Sequence, residues 1–218
     1  MPYIKLILTL FVILPQTAPS EYVPAGDEAY TLDLELDGYD NGAMDSDRLM
    51  TFDGCTLERD AAYLYALMWE AAKADGVTLR PQDCYRTYNR QVGAYERRCP
   101  FKTVAVYDKD PVTGETWKSG TRSVRVCTGP PTAKPGQSNH GWGRAIDFRT
   151  RRGGSLGCDS PDTRWLQGNA HRFGWVNPRW AWCDRDTAEP WHWEYAGVTD
   201  PSLVNYGVIN EKLAEHIE

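Results

Sequence analysis

Two short stretches far apart in the chain constrain its fold more than any other feature, because their chemistry is complete only if they meet. Gly136 to Phe148 reads Gly-Gln-Ser-Asn-His-Gly-Trp-Gly-Arg-Ala-Ile-Asp-Phe and offers an imidazole, His140, and a carboxylate, Asp147. The run Glu189-Pro-Trp-His-Trp-Glu-Tyr195 adds a second imidazole, His192, with Glu189 three residues before it. Two histidines and one carboxylate make a three-ligand zinc set that leaves a fourth position for water, as hydrolytic zinc sites require. Glu189 is then the spare carboxyl that can carry a proton. Gly141 and Gly143 let the backbone turn tightly after His140, and Asp147 follows on a buried strand expected over 144–149. Along a strand, odd spacing puts Glu189 and His192 on opposite faces, so a bend at Pro190 must bring both to one site.

The chain of 218 residues has room for one domain with a substantial core, and it shows neither internal repeats nor a clear second domain. Residues 1–20 read as a signal peptide, with Lys5, an apolar run from Leu6 to Leu14, and small residues at Ala18-Pro-Ser20. That run is too short to span a bilayer comfortably. The expected mature protein is therefore secreted, without stable membrane insertion. The formal net charge is −6, and the leader holds one lysine and no acid, so the mature chain is more acidic still. This balance argues against nucleic acid as a partner, because phosphate-backbone binding depends on Lys and Arg. Cys55, Cys84, Cys99, Cys127, Cys158 and Cys183 form an even set in an exported chain and read as three disulfides. Six cysteines allow 15 pairings and the sequence does not choose among them; the expectation is pairing in sequence order, with Cys99–Cys127 closing a long loop.

In chain order, residues 21–50 form an acidic N-terminal segment. Thr31 to Asp37 alternates apolar and charged residues, as an edge strand does. Its likeness to an EF-hand loop fails at Met44, where a bidentate Glu is needed. Leu57 to Ala74 has helical spacing and stops at Asp75-Gly76, and Val77 to Arg80 reads as a short strand. Thr87 can cap a helix carrying Tyr88, Gln91, Val92 and Tyr95, which leaves Arg86 beside backbone N–H groups that favour an anion. Residues 100–135 form a long excursion with a hairpin through Asp110–Gly114 and a strand at Ser123–Val126. Ser160-Pro-Asp-Thr163 opens a helix that Gly174 closes. Trp191 to Tyr195 alternates as a strand, with His192 facing away from Trp191 and Trp193. His171 and His216 read as ordinary surface or half-buried residues.

The pattern Ser138-x-His140-x6-Asp147 with Glu189-x-x-His192 resembles the LAS metallopeptidases. These include D-Ala-D-Ala carboxypeptidases of the vancomycin-resistance type and related peptidoglycan peptidases, with the hedgehog signalling domain as a distant relative. Tyr85-Arg86-Thr87-Tyr88-x-x-Gln91 resembles the family's Tyr-Arg-Ser-x-x-x-Gln substrate segment, with Thr in place of Ser at 87. The resemblance covers roughly residues 57 to 197. It implies Zn2+ on His140, Asp147 and His192, Glu189 as catalytic base, Arg86 on the substrate's terminal carboxylate, and polar contacts from Ser138 and Gln91. The expected fold is α+β: a central, mainly antiparallel sheet carrying the ligands, flanked by helices and held by disulfides, with residues 51–218 as the peptidase domain. The expected protein is a monomeric, cell-wall zinc D-alanyl-D-alanine carboxypeptidase acting on peptidoglycan stem peptides. The same zinc site could serve an endopeptidase. A non-catalytic zinc-containing binding module is a further alternative, against which the spare Glu189 argues. Carbohydrate binding by an aromatic surface is another, although most of the nine tryptophans are better read as core and site walls.

Overall fold

A computed structural model describes residues 38–128 and 132–197. The expected signal peptide, the strand expected over Thr31–Asp37 and His216 lie outside the described residues. The elements run β1 (Leu49–Phe52), β2 (Cys55–Glu58), α1 (Arg59–Ala74), β3 (Pro81–Asp83), α2 (Tyr88–Arg98), β4 (Phe101–Lys109), β5 (Thr116–Arg125), β6 (Ala145–Phe148), α3 (Pro161–Asn169), β7 (Trp175–Val176) and β8 (His192–Tyr195). The class is α+β as expected, with every strand pairing antiparallel: a β1–β2 hairpin, a β4–β5 hairpin, and a four-stranded sheet in the order β3-β6-β8-β7. Among the described residues no helix is long and apolar enough to cross a membrane.

α1 supplies one wall of the core. Its buried face carries Ala61, Leu64, Tyr65, Met68 and Ala72, which recur at helical spacing. These pack with Leu57, Ile146, Phe148, Leu166 and Trp175 into one apolar cluster. At 25 cal/mol per Å2 of apolar area, each such large side chain contributes on the order of 2 kcal/mol to folding. The helix begins two residues later than the Leu57 start expected from periodicity, because Leu57 belongs to β2. Glu58 caps it, accepting from the backbone N–H groups of Asp60 and Ala61. The Glu58 N–H in turn donates to the Gly143 carbonyl at 2.9 Å, so the start of the core helix grips the loop after His140. Gly143 is required there: its φ is +65°, and a Cβ would meet the Glu58 nitrogen at 2.6 Å.

Two strands differ from the sequence reading. Residues 77–80 form no ladder; the strand is Pro81–Asp83, which pairs through one side with β6, and its opening proline suits an edge. The hairpin within 100–135 is far longer than the turn at 110–114 suggested, with β4 and β5 paired along their whole lengths. The cysteines pair in sequence order: Cys55–Cys84, Cys99–Cys127 at the base of that hairpin, and Cys158–Cys183.

Candidate metal centre and carboxylate grip

The sheet brings the two constraining stretches together. β6 and β8 are neighbours, and Asp147 lies directly opposite His192 in their register, so both side chains rise from the same face. His140 comes from a short 3-10 turn, Asn139–Trp142, that leads into β6. Ligand atoms of His140, Asp147 and His192 all lie within 4.8 Å of one another, close enough for a single ion. Nδ1 of His192 is 2.8 Å from Asp147 Oδ1, and Nε2 of His140 is 3.4 Å from the same oxygen.

The outer nitrogen of each imidazole is also held. His140 Nδ1 is 2.8 Å from the Cys84 carbonyl, a bond that places the proton on Nδ1 and leaves Nε2 for an ion. His192 Nε2 is 2.9 Å from Glu194 Oε1, and Asn139 Nδ2 donates to that same oxygen at 2.7 Å. Metal-bound histidines are usually oriented by such partners, so this donor set fits a metal ion down to its supporting contacts. Burial by itself would lower the basicity of His192, but the bonds and charges of Asp147 and Glu194 outweigh it and raise its pKa to about 10. Asp147 is pushed the other way. Burial would raise its pKa, yet the charges and hydrogen bonds of His140 and His192 hold it well below the usual carboxylate range.

Glu189 sits in the turn before β8, where the His192 N–H donates to the Glu189 carbonyl at 2.9 Å. The strand-alternation problem therefore does not arise, because β8 begins only at His192. The Glu189 carboxyl is buried, and burial pushes its pKa up to about 7, with His192, Arg98 and Arg86 pulling it down and Asp147 adding to the rise. A carboxyl poised near neutrality is suited to taking and returning a proton. The half-exposed Trp180 ring stands 5.2 Å from the His192 ring and walls this end of the site.

Arg86 lies at the other end, just before α2. Its backbone N–H donates to the His140 carbonyl, and its Nη2 is 3.9 Å from Asp147 Oδ2. The guanidinium donates through Nε and Nη2 to Asp83 Oδ2, at 3.0 and 2.6 Å, and through Nη1 to Gln91 Oε1 at 2.7 Å. Gln91 is buried and its amide donates to the Ala133 carbonyl, so its described contacts run to Arg86 and to the chain after β5. Thr87 caps α2 as expected. Ser138 is buried just ahead of the His140 turn, and its carbonyl accepts from Asn41 Nδ2 and the Gly141 N–H. Residues 39–50 thus belong partly to the site wall: Met44 packs on Trp142, and its N–H donates to the Tyr85 hydroxyl.

Sequence reasoning missed two acids. Glu194 follows His192 by two residues on a strand, so the period-two rule would have put both on one face. Asp83 carries only a weak signal, its position three residues before Arg86.

A family model described as VanY, D-alanyl-D-alanine carboxypeptidase, matches residues 54–198. The chain is 30% identical over 143 residues to the D-alanyl-D-alanine carboxypeptidase of Enterococcus faecalis (strain ATCC 700802 / V583), covering 64% of this chain and 48% of that protein. It is 27% identical over 150 residues to YodJ of Bacillus subtilis (strain 168), whose name assigns it to the carboxypeptidases, covering 65% of this chain and 46% of that protein. The chain thus spans about half the length of these curated relatives. Among solved structures it is similar to a vancomycin-resistance D,D-pentapeptidase VanY in complex with Zn(II), at 25% identity and a TM-score of 0.42 over 78% of this chain and 89% of that one. It is also similar to VanYB in complex with D-alanine-D-alanine, at 25% identity and a TM-score of 0.41 over 76% of this chain and 87% of that one.

Proposed function

The chain belongs to the VanY D-alanyl-D-alanine carboxypeptidase family, and on that premise we propose that it is a zinc hydrolase that removes the terminal D-alanine from peptidoglycan stem peptides outside the cytoplasm. One observation carries this reading above the rest. A guanidinium, Arg86, stands 3.9 Å from Asp147, itself part of the cluster that can hold a metal. Hydrolytic and carboxylate-binding groups are therefore adjacent, as cleavage one residue from a free C-terminus requires. The three disulfides support an oxidising, extracytoplasmic location.

In this reading His140 Nε2, a carboxylate oxygen of Asp147 and His192 Nδ1 would hold zinc. When bound, the ion supplies an acidified water and polarises the scissile carbonyl. Glu189 accepts the proton of the attacking water and passes it to the departing amine nitrogen, so one carboxyl serves as base and then as acid. Arg86 holds the substrate's terminal carboxylate by paired N–H donors and sets the register of the peptide against the ion. Cys84 and Glu194 keep the two imidazoles aimed.

The test is D-alanine release from a synthetic stem pentapeptide by the zinc-loaded protein. The free acid should be cleaved and the C-terminal amide should not. Equal cleavage of both would replace the carboxypeptidase reading with an endopeptidase one. Metal binding without any release would favour a binding module.

A further inference from the structure

Asp83 has no part in the reading above, yet it makes the shortest contact that Arg86 has. It sits on β3 directly opposite Asp147 on β6, so two carboxylates rise side by side from one face of the sheet. Like charges in that relation repel. Arg86 lies against both, at 2.6 Å from Asp83 and 3.9 Å from Asp147. Arg90, one turn into α2, closes on the other oxygen of Asp83 at 3.4 Å. The cluster is therefore two guanidiniums around one carboxylate, and Arg90 offsets the charge that Asp83 would otherwise take from Arg86.

The guanidinium has five N–H hydrogens in a fixed plane. Asp83 takes one from Nε and one from Nη2, and Gln91 takes one from Nη1. Among the described residues, one hydrogen then remains on each terminal nitrogen. A plane gripped along its Nε–Nη2 edge cannot swing, and the Gln91 amide is itself fixed by the Ala133 carbonyl.

We propose that Asp83 is a positioning residue for substrate selection: with Arg90 as its counter-charge, it fixes Arg86 so that the two remaining N–H groups are presented to the terminal carboxylate of a peptide substrate. The inference rests on the carboxypeptidase reading of this site. Asp83 acts through Arg86 and is not one of the three residues whose ligand atoms cluster for an ion. It sets how well a free C-terminus is held, and so how strongly the enzyme prefers an acid over an amide.

The experiment compares the unaltered protein with Asp83→Asn and Asp83→Glu, all zinc-loaded, on an acylated tripeptide ending in D-Ala-D-Ala, as free acid and as amide. The asparagine keeps the shape and loses the charge. Its KM for the free acid should rise roughly ten- to a hundredfold, the worth of a hydrogen bond to a charged group. Its kcat should stay within about twofold, its zinc content should be unchanged, and Asp83→Glu should recover part of the loss. Calorimetric binding of the free dipeptide D-Ala-D-Ala should weaken in parallel. An unchanged KM overturns the proposal, and a lowered KM makes Asp83 a competitor for Arg86. Should the unaltered protein cleave acid and amide alike, the carboxypeptidase reading itself fails. A preference for the acid that survives Asp83→Asn removes only the positioning role.

Discussion

The two ends of the site are built by different means. The metal end rests on adjacent buried strands: Asp147 and His192 face each other across one rung of a ladder, and Glu194 follows on the same face. The proposed carboxylate end rests on the first turn of α2 and the edge strand β3, with the Arg86 guanidinium held by side chains and its backbone N–H donating to the His140 carbonyl. Main-chain pairing fixes the first arrangement, and a network of charge-assisted hydrogen bonds fixes the second. The contrast implies that the two ends fail separately. Damage to the ladder end should cost the ion and the rate, and damage to the helix end should cost affinity for the peptide.

The largest expected effect follows His192→Ala. It removes one of the three proposed ligands, and D-alanine release should fall by more than about a thousandfold together with the zinc content, read by metal analysis. Glu189→Gln should sharpen the contrast within the metal end. Zinc stays bound, and kcat falls roughly 10²- to 10⁴-fold, the usual worth of a positioned acid–base group. Arg86→Ala should raise KM roughly ten- to a hundredfold and leave the zinc content alone. Zinc loss in this variant would break the comparison, since it would show the 3.9 Å approach to Asp147 to be part of the metal end.

The smallest effect is in pH. Without metal, His192 is held up at about 10, so at neutrality it carries a proton that an ion must displace. A group whose pKa is raised releases its proton more easily as pH rises, so zinc affinity should climb by up to about tenfold per pH unit through neutrality, measured by competition with a chelator. Glu194→Gln should flatten that climb and lower affinity, roughly ten- to a hundredfold, by removing the carboxylate that both raises the His192 pKa and aims its ring. Turnover should fall on acidification from pH 7 toward about 5, because both histidines must be neutral to bind metal and Glu189, poised at about 7, stops accepting protons. An affinity independent of pH would place the ligand proton elsewhere.

How much of this was legible depends on how local each arrangement is. The meeting of His140, Asp147 and His192 could be read because the spacings within each stretch are short and the residue types scarce among their neighbours. The core face of α1 was legible for a similar reason, its apolar residues returning every third or fourth position. Asp83 was not. Its meaning depends on β3 lying beside β6, a pairing between positions far apart in the chain that no local period encodes. The long β4–β5 hairpin was only half legible. Phe101, Tyr107 and Trp117 are more than half exposed, and Lys102, Thr103, Ser119 and Thr121 are exposed too, so neither face has the burial that produces alternation. β3 lies just beyond the strand expected over 77–80: Leu79 is buried there without a ladder partner, and the pairing starts at Pro81.

Cys55–Cys84 joins β2 to the residue whose carbonyl receives Nδ1 of His140. One residue thus carries both the bridge and the carbonyl that orients the ring. The Tyr85 N–H beside it donates to the Thr56 carbonyl at 2.8 Å, so bridge and backbone bond hold the same junction between β2 and the ring's acceptor. A side chain's aim is in this way anchored to a covalent link that reaches back to β2.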